Sequence, residues 1–409
     1  MITFAELELD PQLLLALKEM GFERPTSIQA DVIPHAMDGR DILASAPTGT
    51  GKTAAFLLPA LQHLLDFPRN KMGSARVLIL TPTRELANQV ADHACELAKH
   101  TVLKIMTITG GISYQKHAEA LSKTQDIVVA TPGRLMEYIE AERFNCRAIE
   151  SLILDEADRM LDMGFSSIVD RVSEECHGRK QSFLCSATLE GKGILDFKQK
   201  ILTNQVEITV SPPRRERKKI TQWYLRCDDL KHKNTLLTTI LADQVQRAII
   251  FVKTRERLAV LRDVLEARKT KCGWLQGEMA QVKRINAIRR FSNGEINILL
   301  ATDVAARGID ILDISHVINY DLPHTAEVYL HRIGRTARAG KKGSAISLVE
   351  AHDQSMMDRI SRYMDEAIKE RYVEGLKPSH KKPNFKKKKK KVRNKVTTEK
   401  VKMRNKKAK

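Results

Sequence analysis

The chain has 409 residues, of which 42% are hydrophobic and 29% charged. At roughly 150 residues per domain, this length predicts two domains and some additional residues, and the composition excludes a wholly disordered chain. Lysine and arginine outnumber aspartate and glutamate by 69 to 50, and the net charge of +19 favours a polyanionic partner.

The sequence indicates neither a membrane protein nor a disulfide-stabilised secreted protein. Its longest apolar stretches, such as residues 54–60, are much shorter than the roughly 20 residues that span a bilayer. Residues 1–10 contain no basic cluster followed by an apolar run, so no secretory signal is predicted there. The six cysteines form no C-x-x-C pair, which argues against a zinc site. We therefore expect a cytoplasmic protein with free thiols and no contact with a membrane.

Short apolar runs alternate with amphipathic, helix-like stretches along the chain. In the first half the runs are 42–44, 76–80, 126–130, 151–154 and 181–185, and helix-like segments occupy 85–99 and 133–142. A second series, 248–252, 296–300, 316–320 and 343–349, follows a break at 211–219 that contains two prolines and a basic run. Such runs are typical of buried parallel strands, and their alternation with helices is typical of a doubly wound sheet. The sequence thus predicts two α/β domains, at 1–210 and 220–376, joined by a flexible linker at 211–219.

Most of the net charge lies in the last 33 residues. Residues 377–409 contain 17 lysines and arginines, six of them consecutive from Lys386 to Lys391, and a single acidic residue, Glu399. A segment with so few apolar residues cannot bury enough surface to fold, so a disordered basic tail is predicted. A solvated charge run is the alternative interpretation, but a polycation of this density also binds a phosphate backbone, which favours RNA as the partner.

A glycine-rich segment follows the first apolar run and precedes a helix-forming stretch. It consists of Ala46, Pro47, Thr48, Gly49, Thr50, Gly51, Lys52 and Thr53, and only its first residue departs from the pattern G-x-x-x-x-G-K-[ST]. Glycines let backbone N–H groups surround a phosphate, and the helix that follows adds its positive dipole. The lysine can reach the β- and γ-phosphates, and the threonine hydroxyl can ligate Mg²⁺. The segment therefore predicts a nucleotide-binding loop to which all eight residues contribute.

Phosphoryl transfer also needs acidic and basic partners, and the sequence offers both. Asp155, Glu156 and Asp158 directly follow the run 151–154. We expect Asp155 to support Mg²⁺ and Glu156 to orient and deprotonate the attacking water. Arg335 and Arg338 are three residues apart, so in a helix they would share a face and point together at the γ-phosphate. An acidic helix start and a solvated basic helix are the alternative interpretations.

Taken together, these segments resemble the DEAD-box ATP-dependent RNA helicases, and the resemblance extends from Phe4 to about Val349. It implies two tandem RecA-like domains and an ATPase that depends on RNA. Residues 21–29 resemble the motif of the family that selects adenine, in which Phe22 would stack on the base and Gln29 would hydrogen-bond its edge. Asp310 resembles the residue that binds the ribose. Asp158, Ser186 and Thr188 resemble the residues that couple hydrolysis to strand separation.

The resemblance also implies which residues bind RNA. In the first domain they are Thr83, Arg84, Gly111, Thr131 and Arg134, and in the second Gly277, Arg284 and Thr302. Hydroxyls, backbone amides and guanidiniums suit phosphate and sugar rather than base edges, so binding independent of RNA sequence is predicted. Two residues depart from the usual family pattern: Ala337 replaces a glycine and Gln276 replaces a frequent histidine. Neither departure removes a charge.

Within the family, the linker and tail most resemble a bacterial helicase of large-ribosomal-subunit assembly. The predicted activity is therefore local unwinding of short RNA duplexes and remodelling of RNA–protein complexes, with ATP and Mg²⁺ as cofactors. The predicted partners are ribosomal RNA and ribosomal proteins, and the predicted state is a monomer. The sequence leaves three alternatives open: an ATP-gated clamp that mainly holds RNA, a DNA translocase of the same superfamily, and a sister bacterial DEAD-box protein of RNA decay or cold adaptation.

Overall fold

The computed structural model describes residues 2–46, 49–69, 73–186, 192–210, 219–242, 245–277, 279–306, 314–337 and 341–379. Two seven-stranded sheets organise these residues, and every strand pair in both sheets is parallel. The predicted fold class, a pair of RecA-like parallel-sheet domains, is confirmed. No helix in the described part of the chain is long and apolar enough to cross a membrane.

The first sheet has the strand order β3-β4-β2-β5-β6-β1-β7. Its strands are β1 Ile42–Ser45, β2 Val77–Leu80, β3 Ile105–Ile108, β4 Ile127–Ala130, β5 Ser151–Leu154, β6 Gln181–Ser186 and β7 Val206–Thr209. Its helices are α1 Pro11–Glu19, α2 Ser27–Met37, α3 Lys52–Asp66, α4 Arg84–Leu97, α5 Tyr114–Leu121, α6 Pro132–Glu140, α7 Ala157–Asp162, α8 Ser166–Glu175 and α9 Lys192–Ile201. A short 3₁₀ helix, Phe4–Leu7, precedes α1.

The second sheet has the order β10-β11-β9-β12-β13-β8-β14. Its strands are β8 Ile220–Cys227, β9 Ala248–Phe251, β10 Cys272–Leu275, β11 Ile298–Ala301, β12 His316–Asn319, β13 Gly343–Glu350 and β14 Lys369–Glu370. Its helices are α10 Leu230–Ala242, α11 Arg255–Ala267, α12 Gln281–Ser292, α13 Asp303–Ala306, α14 Ala326–Ile333 and α15 Gln354–Met364, and a 3₁₀ turn, Ala351–Asp353, precedes α15.

Both faces of the first sheet are covered by helices, which explains why its central strands are apolar at every position. In β2, Val77 and Ile79 pack with α1–α4, whereas Leu78 and Leu80 pack with α6–α9 on the opposite face. All four residues are fully buried. Because side chains alternate between the faces of a strand, only a continuous apolar run can satisfy both layers.

The segment after α15 ties the end of the described chain to the second sheet. Glu370 accepts a hydrogen bond from Arg226 of β8, and the Ser379 backbone N–H donates to both carboxylate oxygens of Asp228, at 3.0 and 2.8 Å. Residues 380–409 of the predicted tail and 211–218 of the predicted linker lie outside the described residues. The boundaries assigned to domains, linker and tail therefore stay predictions.

Candidate functional site

The glycine-rich loop follows β1 at the carboxyl edge of the first sheet. Ala46 is buried, and its N–H donates to the Ser186 carbonyl at the end of the adjacent strand β6, at 3.2 Å. Gly49 and Gly51 have φ values of +83° and +94°, a region that favours glycine, and α3 begins at the next residue, Lys52. The loop thus curls back over the start of a helix, as a phosphate-binding loop requires. Pro47 and Thr48 lie outside the described residues, whereas Thr50 and Thr53 lie within the loop and the first turn of α3.

The ammonium group of Lys52 points back into this loop. Its Nζ donates to the carbonyl of Ala46 and, at 3.3 Å, to the carbonyl of Ser186. The lysine is only 8% exposed. A buried cation held at the amino end of a helix is well placed to meet the phosphates of a nucleotide.

Two acidic side chains stand beside Lys52, at the end of β5. Asp155 and Glu156 are both buried, and the Glu156 N–H donates to Asp155 Oδ1 at 3.0 Å. Burial raises the pKa of Asp155 to about 7, and the neighbouring charge of Glu156 acts in the same direction while Lys52 opposes it. Glu156 has a φ of +54°, a left-handed conformation that turns the chain sharply from β5 into α7. The strand order places β5, β6 and β1 side by side, and this is why the lysine and the carboxylates meet.

The second domain faces this acidic segment across a small cavity. Arg159 from α7 lines one side, and Asp303, His331, Arg332 and Arg335 from the second domain line the other. Arg159 Nη1 also donates to Glu156 Oε2 at 2.7 Å. Burial, and secondarily the charge of Arg159, lowers the pKa of His331 to about 3, so this histidine is neutral at physiological pH. Of the predicted catalytic groups, Arg335 lines this cavity directly, and Glu156 is connected to it through Arg159.

The expectation of a shared helical face for Arg335 and Arg338 is not met. Helix α14 ends at Ile333, with Gly334 as its C-cap, and Arg335 is buried in the turn that follows. Ala337, which stands where the family usually has glycine, has a φ of +58°. The helix has thus ended before Arg335, and the left-handed Ala337 follows in the same non-helical segment. Arg338 itself lies outside the described residues.

Arg332, a functional residue that the sequence interpretation missed, anchors this turn. Its guanidinium forms a two-point ion pair with Asp303, at 2.6 and 2.8 Å, and donates to Asn319 Oδ1 and the Asp321 carbonyl. It also lies 4.9 Å from the centre of the Phe251 ring. Arg332 belongs to the same arginine-rich segment as Arg335, so the signal was present, but its acidic partner is distant in sequence.

Of the two residues predicted to select adenine, Gln29 contacts the phosphate loop and Phe22 packs on α4. Gln29 is buried on α2, where its Oε1 accepts from the Thr26 N–H at 2.9 Å and its Nε2 donates to the Gly51 carbonyl at 3.1 Å. Phe22 is partly exposed and stacks on His93, with a centroid distance of 6.1 Å. Gln29 thus links the amino-terminal helices to the loop itself, a contact that the sequence did not reveal.

The predicted RNA contacts of the first domain follow three neighbouring strands. Thr83 caps α4 after β2, and its Oγ1 accepts from the Leu86 N–H at 3.3 Å. The guanidinium of Arg84 packs so closely on Gly110 and Gly111, after β3, that a side chain at either glycine would collide with it. Thr131 caps α6 after β4, and Arg134 Nη2 donates to the Ile112 carbonyl at 3.0 Å. The order β3-β4-β2 therefore gathers all five predicted contacts at one edge of the sheet.

In the second domain, Gly277 and Thr302 follow the adjacent strands β10 and β11. Arg284, on α12, pairs with Glu85 of the first domain, with Nε and Oε1 2.7 Å apart. This pair joins the two domains, and Glu85 is a second residue that the sequence interpretation missed, although it adjoins Arg84 in the same motif.

Of the remaining predicted residues, Ser186 ends β6 and Asp158 follows the neighbouring strand β5. Ser186 is fully buried at the end of β6, and Asp158 Oδ1 accepts from the Arg159 N–H at 3.0 Å. Thr188 and Asp310 lie outside the described residues. No group of three or more histidines, cysteines, aspartates and glutamates forms a metal site in the part of the chain that the structure describes.

Comparison with known proteins identifies relatives over nearly the whole chain. Residues 26–197 match the family model "DEAD/DEAH box helicase", and residues 231–340 match "Helicase conserved C-terminal domain". The chain is 60% identical over 386 residues to the ATP-dependent RNA helicase SrmB of Escherichia coli (strain K12), which covers 94% of this chain and 87% of that protein. It is 37% identical over 371 residues to the ATP-dependent rRNA helicase RRP3 of Scheffersomyces stipitis, covering 90% of this chain and 75% of that protein.

A solved structure of S. cerevisiae Dbp5 bound to RNA and ADP BeF3 matches with a TM-score of 0.80 at 30% identity, covering 90% of this chain and 95% of that chain. The predicted family is thereby confirmed. The chain belongs to the DEAD-box family of ATP-dependent RNA helicases, enzymes that bind ATP and RNA and hydrolyse ATP under stimulation by RNA.

Proposed function

We propose that this helicase opens short RNA duplexes locally, with ATP and RNA together holding its two domains closed. The observation that carries the proposal is the interdomain cavity lined by Arg159, which pairs with Glu156 of the first domain, and by Arg335 of the second. Because the groups come from different domains, the site is complete only when the domains meet. Hydrolysis and phosphate release would remove the bridge between them and let the RNA go.

Each residue of the cleft has a distinct part in this scheme. Lys52, at the amino end of α3, would bind the β- and γ-phosphates, and Glu156 would accept the proton of the attacking water. Arg335, with Arg338, would neutralise the charge that develops on the γ-phosphate. Phe22 and Gln29 would hold the adenine, and Asp310 the ribose. Asp158, Ser186 and Thr188 would relay the state of the nucleotide to the rest of the domain.

The residues present fit a magnesium ion. Thr53 offers a hydroxyl in the first turn of α3, and Asp155 a carboxylate whose burial beside a second carboxylate disfavours its charged form. A divalent cation would relieve that cost, and magnesium is typically held by only one or two protein oxygens together with phosphate and water. Bound there, the ion would supply charge neutralisation between the phosphates.

The RNA would run along the carboxyl edges of both sheets. Thr83, Arg84, Gly111, Thr131 and Arg134 line that edge in the first domain, and Gly277 and Thr302 in the second. These residues offer hydroxyls, guanidiniums and backbone amides, which recognise phosphate and sugar rather than bases. Binding independent of sequence follows, with specificity supplied by other contacts.

Ribosomal RNA is the substrate that we propose, within large-subunit assembly and with ribosomal proteins as neighbours. Two observations support it: the similarity to SrmB, and the similarity to RRP3, whose name describes an rRNA helicase. The +16 charge of residues 377–409 supplies a non-specific attraction to a large folded RNA. We propose that the chain acts in the cytoplasm as a monomer, since each step uses residues of one chain only.

An ATP-gated clamp is the second candidate function. The largely buried Arg284–Glu85 pair favours it, because an ion pair that forms when the domains close would stabilise the RNA-bound state by itself. Glu156→Gln separates the two functions. That variant should close on RNA and ATP but turn over slowly. A clamp would still retain RNA and support assembly, whereas an unwinding enzyme would lose assembly together with turnover.

The direct test is steady-state ATP hydrolysis by the full chain without polymer, with a ribosomal RNA fragment, and with single-stranded DNA of the same length. Strand displacement from a short RNA duplex is measured in parallel. We expect stimulation by RNA alone and ATP-dependent displacement. Equal rates in all three conditions would contradict closure by RNA, and stimulation without displacement would favour the clamp.

Truncation after Ser379 should weaken RNA binding and flatten its salt dependence without changing turnover at saturating RNA.

A further inference from the structure

A cluster of side chains on α5 and α6 takes no part in the chemistry proposed above. Tyr114 begins α5 and is 40% exposed, and its ring stacks on Tyr138 of α6 with a centroid distance of 5.1 Å and an interplanar angle of 22°. An exposed tyrosine at the start of a polar helix contributes little to the core. Its neighbours suggest another use.

The guanidinium of Arg134 lies over this ring, 3.8 Å from its centre. Its Nη1 donates to Glu137 Oε2 at 2.6 Å, and its Nη2 donates to the Ile112 carbonyl at 3.0 Å. The Tyr114 hydroxyl donates to the same Glu137 oxygen, at 2.6 Å. Tyr114 therefore holds the guanidinium twice, directly through its ring and indirectly by fixing the carboxylate that the guanidinium binds.

The cluster borders the RNA edge of the first sheet. Arg134 follows Thr131 on α6, and Ile112 follows the Gly110–Gly111 turn on which Arg84 packs. Arg84 packs on the glycines of this turn, and Arg134 donates a hydrogen bond to the residue that follows them. Bonds from Tyr114 and then from Arg134 lower the pKa of Glu137, so its carboxylate stays ionised and continues to hold both partners.

We propose that Tyr114 is a positioning residue for RNA, which keeps the Arg134 guanidinium fixed beside the Gly110–Ile112 turn so that an RNA phosphate meets a cation already in place. The inference rests on the proposed role of Arg134 as an RNA contact. An arginine side chain has several rotatable bonds, and ordering it at the moment of binding costs affinity. Two of the five guanidinium N–H groups are used in the bonds described, so the group retains donors for a phosphate.

The test is titration of ATP hydrolysis with single-stranded RNA, which gives the half-saturating RNA concentration and the turnover number at saturation. Tyr114→Leu removes ring and hydroxyl, whereas Tyr114→Phe removes the hydroxyl alone. Arg134→Met removes the cation, and Tyr114→Leu is repeated in that background. Phe67→Leu, a change at another exposed aromatic residue that lies beyond the carboxyl end of α3, is the matched control.

We expect Tyr114→Leu to raise the half-saturating RNA concentration about tenfold and Tyr114→Phe about two- to threefold, with turnover at saturation and hydrolysis without RNA unchanged. Arg134→Met should reduce the slope of log RNA affinity against log salt concentration by ~0.7 for each phosphate contact that is lost. Adding Tyr114→Leu to that variant should change nothing further.

Three results would overturn the inference. An undiminished effect of Tyr114→Leu in the Arg134→Met background would mean that the tyrosine contacts RNA itself. An unchanged RNA titration for Tyr114→Leu would mean that Arg134 needs no support. Normal RNA binding by Arg134→Met would remove the proposed RNA role of the arginine, a failure that is distinct from the other two. A cooperative thermal unfolding transition at the wild-type temperature serves as the check that each variant is folded.

Discussion

The ion pair between Arg284 and Glu85 should set how tightly RNA closes the two domains. The two groups come from different domains and lie 2.7 Å apart, and their side chains are only 11% and 16% exposed. In an open arrangement both would be hydrated, so the pair contributes to the closed state alone. Neutralising either residue, as in Arg284→Met or Glu85→Gln, should therefore weaken RNA binding rather than unfold the protein.

The size of the effect follows from the burial of the pair. Two unit charges about 4 Å apart attract each other by roughly 4 kcal/mol at an effective dielectric constant of about 20. Desolvation of both groups offsets much of that attraction. We expect a net coupling of about 1–2 kcal/mol, which corresponds to roughly a 5- to 30-fold change in the half-saturating RNA concentration.

A double-mutant cycle measures this coupling. RNA-stimulated hydrolysis is titrated for the wild type, Glu85→Gln, Arg284→Met and the double variant, at two salt concentrations. If the pair closes the domains, each single change weakens RNA binding and the second adds little to the first. The charge swap Glu85→Arg with Arg284→Glu should recover part of the loss.

The competing assignment, in which Arg284 contacts an RNA phosphate, predicts the opposite sign for one variant. Glu85→Gln would then release the arginine and leave RNA binding equal or stronger. Arg284→Met would reduce the slope of log RNA affinity against log salt concentration by ~0.7, both in the wild type and in the Glu85→Gln variant. Additive effects with that salt signature would refute the role of the pair in domain closure.

Three further predictions concern the cleft and the stability of the fold. Lys52→Ala should lower the ATP turnover number at least about a hundredfold, because a buried phosphate ligand is lost, whereas Lys180→Ala on the distant surface should not; near-normal turnover would remove the lysine from the mechanism. Ala337→Gly should raise the free energy of unfolding in urea by up to about 1 kcal/mol, because a left-handed alanine is strained, while Ala259→Gly inside α11 should lower it by about as much. Hydrogen bonding from Arg76, and then from His63, lowers the pKa of Glu150 from 4.5 to about 2, so its contribution to stability is complete above pH 4.5 and is lost as the pH falls toward 2. Glu150→Gln should cost about 1–2 kcal/mol at pH 7 after solvent screening, and a difference from wild type that does not narrow between pH 5 and pH 3 would contradict this assignment.

The sequence predicted the central strands except β8, and it missed the edge strands for a physical reason. Strands such as β5 are covered on both faces, so each of their residues is apolar. The edge strands β3 and β10 alternate between buried and half-buried residues, and β14 pairs over only two residues. Their sequences lack a continuous apolar run, and none of them was predicted.

The residues of the candidate site likewise fall into two groups, those that a local motif reveals and those that only the fold brings together. Candidate residues within a short motif, such as Lys52 and Glu156, could be proposed from the sequence because the loop or turn that presents them is local. Arg332 and Asp303, and likewise Arg284 and Glu85, pair only because the fold joins distant segments. Nothing in the spacing of such residues reveals the pairing. The end of α14 before Arg335 falls at Gly334, its C-cap, a glycine that the sequence interpretation did not treat as a helix end.

The same pairs explain how the two ligands can act on one another. Thr302, a proposed RNA contact, immediately precedes Asp303, and Asp303 holds Arg332 by two hydrogen bonds. Arg332 lies three residues before Arg335, in a turn that Thr336 fixes by donating to the Ile314 and Ser315 carbonyls. These contacts connect Thr302 to the turn that holds Arg335 through buried or half-buried groups. If RNA binds at the first residue and ATP at the second, as proposed, both ligands would draw the second domain toward the first, and neither ligand alone would complete the cleft.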